Sequence, residues 1–151
     1  RPAQDVGGCG MTVQLEHANI AVGDLDEAIR FFQTAFPDFD IRGRGATDNG
    51  DWRSEWVHIG TDATYVCLNA DSRPAGDRER GHKGFGVNPL GFAVDDAQAI
   101  YDRLAGAGFK EGFQPGEHAH RRRVYFLDSD GNEYEFVEYF SDDPAERNSY
   151  D

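Results

Sequence analysis

Long apolar runs are missing from this chain of 151 residues. No stretch approaches the roughly 20 residues that cross a bilayer, and the N-terminus lacks the charged-then-apolar order of a secretory signal, so the expectation is a cytoplasmic protein with no membrane partner. Cysteine is scarce. Only Cys9, in a glycine-rich leader, and Cys67, in an apolar stretch, are present, which excludes a disulfide framework and any CxxC metal or redox pair. Positive charge is also in deficit. Fifteen Lys and Arg against 28 Asp and Glu leave a formal charge of −13, which repels phosphate backbones and anionic lipid, so no nucleic acid is expected as a partner. The same surplus keeps a surface solvated and attracts cations.

What is present suffices for a core: 38% of residues are hydrophobic and 13% aromatic, enough apolar material for one domain at this length. Arg1 to Gly10 shows no hydrophobic period and Met11 offers a natural start. Residues 1–11 therefore read as a disordered or added leader, and 12–151 as a single domain.

Internal similarity organises that domain. Leu15 to Val22 reads as a strand running into Asp24-Leu25-Asp26-Glu27, where Asp24 and Glu27 have capping-box spacing. Leu25, Ala28, Ile29, Phe32, Ala35 and Phe36 then recur at three and four residues, predicting a helix that Pro37 ends. Leu90 to Val94 leads likewise into Asp95-Asp96-Ala97-Gln98, with Gln98 three residues beyond Asp95. Ala97, Ile100, Leu104 and Ala107 predict a second helix, stopped by Gly106 or Gly108. Side by side, Ala21 to Ile29 matches Ala93 to Ile100 with one residue deleted.

Strand-like stretches follow each helix: Asp38 to Arg44, Glu55 to Ile59 and Thr64 to Asn69, then a weak Phe109 to Phe113, Arg123 to Leu127, and Glu133 to Phe140 after an Asp130-Gly131 turn. Each half thus reads βαβββ. The modules cover about 13–70 and 87–140, joined by a charged, Gly-containing linker at 71–86. The polar tail from Ser141 to Asp151 is expected at the surface.

Two βαβββ modules, an opening HxNIAVxDLxxAIxFF from His17 to Phe32 and a closing YFLDxDGNxYEF from Tyr125 to Phe136 resemble the vicinal-oxygen-chelate superfamily of glyoxalases, bleomycin-resistance proteins and extradiol dioxygenases. The resemblance implies an α+β fold in which two modules form a curved, partly open mixed sheet around a concave small-molecule cavity. It also implies a homodimer. Because that superfamily spans isomerases, lyases, oxygenases, thiol transferases and non-catalytic drug binders, it does not fix an activity.

Metal-dependent members take ligands from equivalent strand positions in both modules. Here His17 and Glu135 match two such positions, while Pro89 and Cys67 stand at the other two. Two side chains fall one short of the three protein ligands that catalytic metal sites commonly use. A Cys67 thiolate, or His82, His118 or His120 from loops, are the candidates to complete a site for Zn, Mn, Fe or Ni. Without metal, His17 reads as a hydrogen-bonded cavity residue and Glu135 as a wall carboxylate or a partner for Arg123.

Strand alternation places His17 with Leu15, Asn19 and Ala21, places Glu135 with Glu133, Val137 and Tyr139, and places Tyr125 with Arg123 and Leu127. Tyr65, Cys67 and Asn69 add a mixed lining suited to a small ligand. The similarity to fosfomycin-resistance enzymes puts Tyr125 at the substrate wall. Trp52 and Trp56 lie near a polar loop from Thr47 to Asp51 and read as a stacking cap, or Trp56 as core. The basic run from His118 to Arg123 reads as an anion site or a surface ion-pairing segment.

The expected ligand-binding set is therefore His17, Asn19, Trp52, Tyr65, Cys67, Tyr125 and Glu135, with Glu135 and Tyr125 as the catalytic pair if a reaction occurs. Two readings follow. The first is a binder of a small cationic or aromatic molecule, resembling the acidic bleomycin-resistance branch. The second is a divalent-metal-dependent lyase, glutathione or thiol transferase, or dioxygenase built on His17 and Glu135.

Overall fold

A computed structural model describes residues 15–72, 87 and 89–150. The leader at 1–11, most of the expected linker, and His82 lie outside the described residues.

The first helix forms where the cap and the apolar period agree. Strand β1 (His17–Ala21) leads to Asp24, whose side chain accepts the Glu27 N–H at 3.1 Å and starts α1 (Leu25–Ala35). Asp26 and Glu27 in the first turn complement the positive end of the helix. Ala28, Phe31, Phe32 and Ala35 are buried. Phe31 was not on the expected face. It is fully buried because α1 has neighbours on two sides: its ring meets Phe109 and Tyr134 of the second half, each at 5.0 Å between centroids. A helix covered from both sides buries more than the single stripe that periodicity shows.

The second helix begins one residue later than expected. Asp96, not Asp95, is the cap of α2 (Ala97–Gly106) and accepts the Ala99 N–H at 2.9 Å, while the Gln98 amide bonds Asp102 instead. With Asp24 and Asp96 as equivalent caps, the repeat aligns without the deletion. Ala97, Ile100 and Leu104 are buried, but Ala107 is exposed. Gly108, at φ 85°, supplies the stop: its N–H reaches Ala105 O and the Phe109 N–H reaches Leu104 O, a Schellman closure that needs a left-handed residue.

The first module continues with β2 (Asp40–Asp48), β3 (Arg53–Gly60) and β4 (Tyr65–Asp71). The second comprises β5 (Leu90–Ala93), α2, β6 (Lys110–Glu111), β7 (Arg121–Leu127) and β8 (Glu133–Tyr139), and a one-turn α3 (Pro144–Arg147) follows in the tail. The strand orders are β1-β4-β3-β2 and β5-β8-β7-β6, with the first strand of each sheet parallel to its neighbour and the remaining pairs antiparallel. The same strand exit recurs too: Val22 N–H bonds Asn69 O, and Val94 N–H bonds Val137 O, both at 2.9 Å. Both sheets are open, and the duplicated βαβββ architecture expected from the sequence is the one formed.

A continuous apolar core lies on the helix-facing sides of both sheets. Phe31 and Phe32 from α1 join Val57, Ile59, Val66 and Leu68 of the first sheet to Phe126, Tyr134 and Phe136 of the second. Polar ties hold the modules in place around it. The Arg103 guanidinium donates to the carbonyls of Thr34 at 3.0 Å and Ala35 at 2.7 Å, which α1 leaves unsatisfied at its C-terminus. Arg30 donates to Ala107 O at 3.3 Å and stacks over Phe109 at 4.1 Å. With the helices on one side, each sheet leaves its other face uncovered by any helix among the described residues, and alternate residues point there.

Candidate functional site

On the open face of the first sheet, register sets the neighbours. His17 pairs with Tyr65, Asn19 with Cys67 and Cys67 with His58, and Asn69 with Trp56. The result is a ladder of four rings: Trp56 to His58, His58 to Tyr65 and Tyr65 to His17 are each 4.7 Å between centroids, the last pair stacked at 12°. Arg42, the extra residue where the β2–β3 register shifts between Ile41 and Gly43, sets its guanidinium 4.2 Å above the Tyr65 ring. Gly45 makes room for the indole. A Cβ there would meet Trp56 ring atoms at 2.6 to 2.8 Å. Trp56 is half-buried on this open face and not in the core between sheets and helices.

Three expected residues, His17, Asn19 and Tyr65, are thus brought together. His17 is 42% exposed at its side chain, and its Nδ1 lies 3.3 Å from Glu16 Oε2. Cys67 shares their rows but is buried, and burial pushes its thiol pKa up, which disfavours the thiolate a metal would need. Trp52 sits half-buried at the β2–β3 turn, where its carbonyl accepts the Asn49 N–H at 2.9 Å. His58 and Arg42 were missed. Alternation does put His58 on one face with Trp56, but only the β3–β4 register shows that it faces Cys67, and only the bulge brings Arg42 over Tyr65.

On the second sheet, Gly91, Glu135 and Tyr125 form one row, and Ala93, Val137 and Arg123 the next. Tyr125 and Glu135, the expected catalytic pair, are in contact. The phenol pKa is pushed up to about 12, first by burial, then by its hydrogen bond to the Glu135 carboxylate and by that charge, with Arg123 opposing. A protonated phenol opposite a carboxylate is a polar pair able to orient a ligand's hydrogen-bonding groups. The Phe113 ring stands edge-on to Tyr125 at 5.3 Å and is 48% exposed.

The two matched donors come from different modules. His17 lies on the first sheet and Glu135 on the second. Pairing of Asn19 with Cys67 and of Gly91 with Glu135 makes Asn19 and Gly91 equivalent, so Pro89 stands where His17 stands, with no donor on its side chain. Among the described residues no group of three or more His, Cys, Asp and Glu is placed to hold a metal ion. Among the described residues, His17 and Glu135 with Pro89 and a buried Cys67 at the other two positions fall short of the three protein ligands a catalytic metal site commonly uses.

The basic run is locally engaged. His118 Nδ1 accepts the His120 N–H at 3.1 Å, Arg121 donates to Arg147 O at 3.2 Å, and Arg122 lies 4.0 Å from Glu138. Burial, followed by the neighbouring Arg121 charge, holds the His118 pKa below its ordinary value. Of these contacts, the one between Arg122 and Glu138 is an ion pair.

A family model described as "Glyoxalase/Bleomycin resistance protein/Dioxygenase superfamily" matches residues 14–136. The chain belongs to that superfamily. Solved structures agree on the superfamily fold. A glyoxalase family protein from Bacillus cereus is 18% identical, with 88% of this chain and 98% of that one covered and a TM-score of 0.70. A glyoxylase/bleomycin resistance protein/dioxygenase domain from Frankia sp. EAN1pec is 19% identical over 92% of this chain and 100% of its own, with a TM-score of 0.72. The genomically encoded fosfomycin resistance protein FosX from Listeria monocytogenes, solved with Mn(II) and sulfate, is 19% identical over 91% and 98%, with a TM-score of 0.65. Comparison with curated proteins gives no match. At these identities the superfamily likeness speaks for the fold, and no helix among the described residues is long and apolar enough to cross a membrane.

Proposed function

We propose that this chain binds a planar organic molecule, aromatic or cationic, against the ladder formed by Trp56, His58, Tyr65 and His17, without using a bound metal. The ladder carries the reading. Four rings in sequence on an open sheet face offer π-surface for stacking, and Arg42 over Tyr65 already illustrates the cation–π contact that a ligand cation would make. Pro89 and Cys67 at two of the four donor positions support a binding role over a metal-dependent one.

The reading includes a homodimer. Both sheets present open faces, and β1 and β5 are edge strands paired on one side only, so a second copy is the natural cover for ligand and edge alike. The chain acts in solution on a small molecule, with no nucleic acid or membrane as partner.

Trp fluorescence titration of chelator-treated protein with a planar aromatic cation tests the proposal. Tyr65→Ala should weaken binding by about two- to thirteenfold, the value of one stacking contact of about 0.5–1.5 kcal/mol. Unchanged affinity in that variant contradicts it. The metal-dependent reading draws on one specific observation, the Mn(II) in FosX. It requires Glu135→Gln to remove bound metal and turnover together.

A further inference from the structure

Where α1 ends and α2 begins, the two modules leave a cleft of about 410 Å³. It lies apart from the ring ladder. Its walls are the last turn of α1 with the loop that follows, the β3–β4 turn at Thr61 and Thr64, the end of β5, and the first turns of α2. The floor is apolar: Phe36 meets Phe92 at 5.1 Å and Phe39 at 4.5 Å, with Ile100 beside them. Phe36 and Phe92 are only partly buried, so their rings are available to an occupant.

The rim is predominantly acidic. Asp38, Asp95 and Asp96 line the cleft, and Asp38 and Asp95 are exposed. The cationic lining residue, Arg103, spends its Nε and Nη2 on the Thr34 and Ala35 carbonyls. An anion finds no seat at the start of α2 either. The Ala97 N–H is taken by Glu138 Oε2 at 3.0 Å, and the Ala99 N–H by Asp96.

We infer that this cleft is a second ligand site, taking a small monocation whose ammonium group lies between Asp38 and Asp95 and whose apolar body rests on Phe36 and Phe92. Its volume falls within the range of about 300–1,000 Å³ usual for small-molecule sites. A carboxylate rim above an aromatic floor selects for charge and apolar bulk together. The inference rests on the junction between the modules and not on the ladder, so either can fail alone.

The test uses the full chain and two probes, 2-phenylethylammonium and its uncharged isostere 2-phenylethanol, followed by backbone amide shifts in NMR. The ammonium should shift Ala93, Asp95 and Ala99 and bind more tightly than the alcohol. Asp38→Asn with Asp95→Asn should weaken it by about three- to tenfold, as two partly screened charge contacts would. Ala99→Trp, which fills the cleft, should abolish binding, whereas Tyr65→Ala should leave it unchanged. Equal affinity for the two probes, no shift at Ala93, Asp95 and Ala99, undiminished binding in the double Asn variant, or no binding at millimolar probe each overturns the inference. If Ala99→Trp does not fold, the double Asn variant, altered only at exposed positions, decides.

Discussion

Asp130 and Gly23 lie 107 residues apart, yet the Asp130 carboxylate accepts the Gly23 N–H at 2.8 Å. This bond ties the β7–β8 turn of the second module to the β1–α1 junction of the first. Close approach makes it possible: a Cβ on Gly23 would lie 2.7 Å from Asp130 Oδ1. The Ser129 hydroxyl, 3.4 Å from Glu27, adds a second link beside it. The relative placement of the modules, and with it the cleft and both open faces, depends on such ties around the shared aromatic core.

Asp130→Ala should lower stability by about 1 kcal/mol, the net value of one hydrogen bond. Gly23→Ala should also destabilise, by crowding the carboxylate. Because both changes act on one contact, the double variant should lose less than their sum in chemical denaturation, whereas strict additivity would show that the contact is not shared.

Gly45→Ala probes the ladder without touching its rings. The new methyl would displace the Trp56 indole from β2, so ligand affinity should fall by about threefold or more and Trp emission should shift, with the thermal transition little changed. A variant that binds as tightly as the parent shows that Trp56 is not part of the site.

Much of the architecture is legible in the chain because caps and helical period are local. Asp24 and Glu27, and the echo of Ala21 to Ile29 in Ala93 to Ile100, disclose the duplication directly. The cap at Asp96 is not separable from one at Asp95 by sequence, since the two are adjacent and alike. Phe31 and Ala107 were misplaced because their environments depend on what packs against each helix. The open face was half legible: alternation puts His17 with Asn19 and Tyr65 with Cys67 and Asn69, but the β1–β4 register brings Tyr65 to His17, the β3–β4 register brings His58, and a bulge brings Arg42. Tyr125 and Glu135 sit on adjacent strands whose pairing the Asp130-Gly131 turn announces.

The Tyr125 phenol gives a pH signature. Its pKa of about 12 in the folded chain stands above the ordinary 10, so between those values the folded state holds a proton that the unfolded state releases. Stability from this group is present below pH 10 and is lost as the pH rises towards 12. Absorbance titration of tyrosinate in Glu135→Gln should show a lower midpoint for Tyr125 that remains above 10, because burial is the larger cause. A midpoint unmoved by that substitution would show that the two groups are not in contact.

The metal content of protein purified without chelator tests the central claim most directly. With Pro89 and buried Cys67 at two of four donor positions, far less than one divalent ion per chain is expected, with ligand binding unaltered after dialysis against chelator. One tightly held ion per chain, lost in Glu135→Gln, would contradict it.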